Sequence, residues 1–326
     1  MKQTIASILA LLMFAAILSG CSQPIRQTDN KISVVCTIFP QYDWVRQILG
    51  DKADNMELTL LLGNKVDLHS YQPTVDDIVK ISTCDLLIYV GGESDGWVDD
   101  ALKDATNKNM AVINLLDVLG AEAKTEELIE GMEEEEHEHN NDDFEHEGEY
   151  DEHVWLSLKN TRTFCTVIAD ALSSLDINNA DEYKSNLDEY IGKLNALDDE
   201  YKSVTKAATV KTLLFGDRFP FRYLLDDYGL SYYAAFPGCS AETEASFETV
   251  VFLAEKVDEL ELKSIMVTES SDKKIAETII SNTMAKNQQV LVLDSLQAVT
   301  KNDAKSEVTY ISVMESNLNV LKEALR

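Results

Sequence analysis

Six apolar residues near the middle of the chain, Leu187, Tyr190, Leu194, Leu197, Tyr201 and Val204, recur at spacings of three and four. That period lays one continuous stripe along a helix, about 40 Å long if it runs for roughly 28 residues. Coiled-coil pairing is the alternative, weakened by fewer than four heptads; a long helix packed along both lobes fits better. On its N-terminal side, residues 32–39, 58–62, 86–90 and 110–115 read as short buried strands, with helices at 42–49, 74–81 and 97–104 between them. After the stripe the pattern resumes, with strands at 209–215, 232–235, 264–268 and 290–293 and helices at 221–228, 247–260, 273–282 and 310–325. Alternating strands and helices build βαβ units around parallel sheets. The expected fold class is α/β, with two lobes, each a mainly parallel sheet flanked by helices, joined by one long rigid helix. The boundaries fall at 31–178 for the first lobe, 179–207 for the connecting helix and 208–326 for the second lobe.

The first 21 residues stand apart. Lys2 is followed by an uncharged run from Ile5 to Leu18. That is shorter than the roughly 20 apolar residues of a membrane-spanning helix and has the length of a signal-peptide core. Leu18-Ser19-Gly20-Cys21 resembles a bacterial lipobox, so Cys21 is the expected lipidation site and 22–30 a flexible tether. An ordinary secretory signal with an incidental cysteine is the alternative. The expected location is the outer face of a bacterial cytoplasmic membrane, reached only through the lipid. Export permits disulfides. Cys36, Cys84, Cys165 and Cys239 form no CxxC pair, and a Cys36–Cys84 bridge and four free thiols both remain open.

The net charge is −30, which argues against nucleic acid as a partner and points towards cations or plain solubility. Half of that charge lies in residues 126–152, which hold fifteen Asp or Glu, His137, His139 and His146, and no Lys or Arg. Such a segment buries too little apolar surface to fold alone and reads as a disordered loop. The two other histidines of the chain's five are His69, beyond the second strand, and His153, beside the acidic run. Ligands of open parallel sheets bind beyond the carboxyl ends of strands. Imidazole is the commonest metal-ligating side chain, and Val154, Trp155 and Leu156 offer an apolar wall to hold His153. Two histidines supply half of a tetrahedral site, and the remainder must come from the second lobe if the site lies in a cleft.

Several segments carry a family resemblance. Val34-Val35-Cys36-Thr37-Ile38-Phe39-Pro40 with Tyr42-Asp43, Asp67-Leu68-His69-Ser70-Tyr71-Gln72-Pro73, and Gly91-Gly92-Glu93 with Trp97 are three of them. The acidic His-bearing loop, Asp151-Glu152-His153-Val154-Trp155-Leu156 and Tyr310-Ile311-Ser312-Val313-Met314-Glu315-Ser316-Asn317-Leu318 follow in order. Together, over residues 31–326, they resemble the zinc/manganese substrate-binding lipoproteins of bacterial ABC importers. The resemblance implies one divalent transition metal bound between the lobes, a permease as partner, a monomer, and His69 and His153 as the first lobe's ligands. In the second lobe the chain departs from the family. Counting back from Tyr228-Gly229-Leu230, the position of the third ligand holds Arg218, which has no lone pair to give. Asp217 is its neighbour and could substitute, or could pair with Arg218 or Arg222. The resemblance also implies a carboxylate at the end of the 290–293 strand, which is Asp294, with Glu269 in reserve. Either could instead cap a helix. Mixed nitrogen and oxygen ligands suit zinc, manganese or iron; the His-bearing loop favours zinc and reads as a collector of metal for the inner site.

Two other functions compete with capture for import. A zinc hydrolase needs an open coordination position and a placed base; there is no HExxH, though Glu152 stands beside His153. A metal-dependent adhesin needs an exposed apolar docking patch. The expectation is a binding protein and not an enzyme.

Overall fold

The computed structural model describes residues 31–63, 67–132, 149–240, 244–300, 302–303, 306 and 308–326. The leader, the tether, Cys21, His137, His139 and His146 lie outside the described residues. Residues 32–326 form one compact unit.

Two four-stranded, wholly parallel sheets carry the fold. The first consists of β1 (Ser33–Cys36), β2 (Glu57–Leu60), β3 (Leu86–Tyr89) and β4 (Ala111–Asn114), in the spatial order β2-β1-β3-β4. The second consists of β5 (Thr212–Phe219), β6 (Ser231–Pro237), β7 (Ser264–Thr268) and β8 (Gln289–Leu293), in the order β6-β5-β7-β8. The strand order is the same in both. Helices α1 (Phe39–Leu49), α2 (Val75–Thr83), α3 (Trp97–Lys103) and α4 (Leu115–Leu119) belong to the first lobe. Helices α5 (Leu158–Leu175) and α6 (Ala180–Ala207) follow them. The second lobe contributes α7 (Arg222–Asp227), α8 (Phe247–Glu259), α9 (Lys274–Asn282) and α10 (Tyr310–Ala324).

Helix α6 is 28 residues long, and its stripe of Leu187, Tyr190, Leu194, Leu197 and Tyr201 is buried. It packs on α1, α5 and α10, so the longest helix is clamped by elements from both ends of the chain. Alternation along β5 divides the second sheet between two cores. Leu213 and Phe215 face the large core that runs through both lobes, whereas Leu214 faces a smaller core under α8 and α9. In β7, Met266 faces the large core and Ile265 and Val267 the smaller one. The large core thus reaches from Val34 in β1 to Leu325 after α10. It is continuous across the two lobes.

Three details depart from the sequence reading. Strand β5 does not end at Phe215 but continues to Phe219, with a shift of register against β6 between Phe215 and Arg218. Gly216-Asp217-Arg218 resembles a turn in sequence, yet the bulge keeps it in the sheet. Helix α5 had no separate assignment; its Ser157 cap accepts from the Asn160 amide at 3.0 Å, and it buries Phe164, Cys165, Ile168 and Leu172. The ends of the acidic stretch are ordered. Thr125 and Tyr150 form an antiparallel bridge, and Asp151 and Glu152 are buried beneath it. All four described cysteines are free thiols, with Cys36, Cys84 and Cys165 buried.

Candidate metal centre

His69 stands in a single 3-10 turn beyond the carboxyl end of β2. Asp67 caps that turn by accepting the His69 amide at 3.0 Å. His153 precedes a second such turn, Val154–Leu156, whose three side chains are fully buried. The expected wall is therefore present, with the His153 ring against Trp155 at 5.3 Å between centroids. The two imidazoles meet, with Nε2 of His69 3.3 Å from Nε2 of His153.

The far side of each ring is held. Asp151 Oδ1 accepts both the His153 amide and Nδ1, each at 2.9 Å. That fixes Nδ1 as the protonated nitrogen and turns the Nε2 lone pair towards His69. Nδ1 of His69 lies 2.7 Å from Ser94 Oγ and 3.5 Å from Glu152 Oε2. Glu152 in turn accepts the Ser94 amide through Oε1 at 2.9 Å. This packing depends on Gly92 at φ +82°, where a Cβ would stand 2.3 Å from Glu152 Oε1. Glu152 Oε2 is buried and has no hydrogen-bond partner of its own.

Burial and the neighbouring His153 lower the His69 pKa to about 4, so its imidazole is neutral at external pH. Burial opposes charge on His153 too, but the hydrogen bond and charge of Asp151 outweigh it and raise its pKa. The pair therefore presents one neutral ring and one ring poised to share a proton, an arrangement that a divalent cation can replace.

The second lobe closes over the pair. Arg218 gives Nη2 to Asp67 Oδ2 at 2.7 Å and Nη1 to the Ser240 carbonyl at 3.3 Å. It ties the turn that carries His69 to the loop beyond β6. In that loop Gly238 is pressed so close to His153 that a Cβ would stand 2.9 Å from Cε1. Cys239 follows, its amide donating to Glu126 Oε1 at 2.8 Å. Burial and the charges of Glu126, Asp151 and Glu152 push the Cys239 thiol well up. Among the described residues, one set of three donor side chains has its ligand atoms all within 4.8 Å of one another: His69, His153 and Cys239.

The three candidate carboxylates are not in that set. Asp217 accepts the Thr268 amide at 3.0 Å and its hydroxyl at 2.9 Å, and the Arg218 amide at 2.8 Å. It braces β5 against β7. Glu269 accepts the amides of Ser295, Gln297 and Ala298 and the Ser295 hydroxyl, shaping the loop after β8. Asp294 is bound less completely, with Oδ1 accepting the Leu296 amide at 2.8 Å. Burial and the nearby Glu269 push its pKa up to about 6. Its loop meets the His153 segment through Trp155 Nε1, which donates to the Ser295 carbonyl at 2.9 Å. Cys239, Ser94 and the Arg218–Asp67 pair had no place in the sequence reading. β6 occupies in its sheet the position of β2 in the first, a relation that only the folded sheets display.

The description "ZnuA: Zinc-uptake complex component A periplasmic" matches residues 34–324. The zinc-binding lipoprotein AdcA of Streptococcus pneumoniae is 32% identical over 318 residues, which are 97% of this chain and 60% of that protein. The chain therefore spans about three fifths of the length of that relative. The high-affinity zinc uptake system protein ZnuA of Bacillus subtilis is 32% identical over 296 residues, 91% of this chain and 88% of the relative. Among solved structures, the Zn(II)-bound ZnuA-like domain of S. pneumoniae AdcA is similar, with a TM-score of 0.69 at 27% identity, covering 90% of this chain and 99% of that one. With two sheets of one topology, a long clamped helix and a histidine pair beneath the second lobe, the chain belongs to the ZnuA family of zinc-uptake components.

Proposed function

We propose that the chain captures zinc between its lobes and delivers it to an ABC permease, with His69 and His153 as the first lobe's ligands. The observation that carries this reading is the 3.3 Å separation of the two Nε2 atoms. Two nitrogens each about 2.0–2.1 Å from a tetrahedral zinc lie about 3.3–3.4 Å apart. Asp151 behind His153 supplies the carboxylate–histidine arrangement that orients a metal-binding imidazole. The printed names of the relatives point to the same cargo. Asp294 is the carboxylate that best fits the second lobe's contribution. Its charge is strained by burial and by Glu269, and a bound cation relieves that strain. Asp217 and Glu269 follow it, because their oxygens already serve the backbone.

Delivery rather than catalysis fits Glu152, the only base suggested for a hydrolase. Its Oε1 holds the Ser94 amide and its Oε2 lies 3.5 Å from Nδ1 of His69, the ring nitrogen opposite the Nε2 that meets His153. Anchoring through Cys21 and monomeric action complete the proposal, together with collection of metal by the segment bearing His137, His139 and His146.

Zinc titration by calorimetry tests the site. The wild type is expected to bind one tight equivalent, His153→Ala to lose it, Asp294→Ala to weaken it and Asp217→Ala to leave it nearly unchanged. A wild type without a tight equivalent overturns the reading.

A further inference from the structure

The place where the family resemblance puts a third ligand is taken by Arg218, whose guanidinium is spent on Asp67 and on the Ser240 carbonyl. The same contacts set the loop beyond β6 against the histidines. Arg218 holds Ser240 from one side, Glu126 holds the Cys239 amide from another, and Gly238 lies in contact with the His153 ring. Between these fixed points stands Cys239, with Sγ no more than 4.8 Å from the nearest nitrogen of either histidine. A zinc with nitrogen ligands at about 2.0–2.1 Å and sulfur at about 2.3 Å needs a nitrogen–sulfur distance of about 3.6 Å. A closing movement of about 1 Å is enough. Cys239 also stands where the topology of the second sheet repeats that of the first, beyond β6 as His69 stands beyond β2.

We propose that the Cys239 thiolate is the third ligand of the zinc site, replacing the side chain that Arg218 cannot supply. The inference rests on the capture site proposed above and deepens it. The thiol proton leaves to solvent as the sulfur–zinc bond forms, so no oxidant or other reactant is involved. Arg218 becomes a positioning residue: it has no lone pair for the metal, but it draws the loop bearing the sulfur onto the first lobe. A donor set of two imidazoles and one thiolate favours zinc and disfavours manganese, which prefers oxygen ligands. Specificity for zinc would then be built into the second lobe, independently of the segment bearing His137, His139 and His146.

Zinc-edge X-ray absorption of the zinc-loaded protein reads the ligands directly. The expected result is one sulfur at about 2.3 Å beside nitrogen or oxygen at about 2.0–2.1 Å. Cys239→Ser is expected to lose the sulfur and to weaken zinc binding beyond the roughly 10–100-fold that loss of an outer partner costs. One tight zinc with no sulfur neighbour in the wild type overturns the role of Cys239 and leaves the histidine site standing. A wild type that binds no tight zinc overturns both. The wild-type spectrum decides between these outcomes even if the variant fails to fold.

Discussion

At the scale of single residues, the site is a set of charges and lone pairs held in strained company. His69 is kept neutral by burial and by its neighbour, His153 is oriented by Asp151, and Asp294 is forced beside Glu269. Asp294 carries a prediction about stability. Its pKa stands at about 6 against an ordinary 3.8, so the folded metal-free protein holds that proton more tightly than the unfolded chain. The favourable contribution is complete below the unfolded value and is lost as pH rises through about 6. Asp294→Asn is therefore expected to stabilise the metal-free protein at pH 7.5, by at most about 3 kcal/mol for a shift of about two units. The gain should vanish near pH 4. Denaturant melts of both proteins at the two pH values check this, and a variant less stable at pH 7.5 would contradict it. The carboxylate proposed for the cation is thus one that costs the metal-free protein stability.

At the scale of elements, four of the candidate groups follow strands, and His153 precedes a 3-10 turn. His69 follows β2, Cys239 follows β6, Glu269 follows β7 and Asp294 follows β8. Parallel strands aim their carboxyl ends the same way, so loops distant in sequence are gathered on one side of each sheet. The ends of the acidic stretch belong to this assembly. The Glu126 amide donates to the Glu149 carbonyl at 2.7 Å, and the Asp151 amide to the Lys124 carbonyl at 2.8 Å. Replacing residues 133–148 with a short Gly-Ser linker, while keeping Glu126, Asp151 and Glu152, is expected to preserve the tight zinc equivalent and to remove weaker ones. Calorimetric titration of that variant settles the division of labour, since loss of the tight equivalent would make those residues part of the site.

For the whole molecule, the continuous core decides behaviour. Tyr310 opens α10, donates its hydroxyl to the Trp155 carbonyl at 2.8 Å and gives its amide to Asp43 in α1 at 2.9 Å. The last helix is thereby fastened to the His153 segment and to the first helix. The two lobes are expected to unfold in one cooperative transition, and saturating zinc should raise Tm by mass action, by about 4 kcal/mol in stability at 1,000 times Kd. Scanning calorimetry with and without zinc tests this. Two resolved transitions, with zinc shifting only one, would show that the lobes are separable.

Much of this was legible from residues taken in order. The 3-4 spacing from Leu187 to Val204 announced the long helix, because a stripe of that period can be buried only on a helical face. The β-branched runs announced eight strands, and histidines confined to loops near carboxylates, with the family resemblance, drew attention to His69 and His153, whose ring nitrogens the fold then brought together. What stayed hidden were relations across the chain. Gly216-Asp217-Arg218 looks like the end of a strand, and only its pairing with β6 keeps it in the sheet. Asp151 and Glu152 looked like the tail of a solvated acidic run; both are buried, where the Asp151 amide pairs with the Lys124 carbonyl and Tyr150 bridges Thr125. Cys239 is one thiol among several in sequence, and only the fold brings it near the two histidines, in a loop whose Ser240 carbonyl Arg218 holds while reaching from β5 to Asp67. Periodicity and composition are local properties, so the sequence by itself determined the elements and the two histidines. Distances between residues far apart in the chain are set by how the sheets pack, so only the tertiary structure decided which side chains stand together.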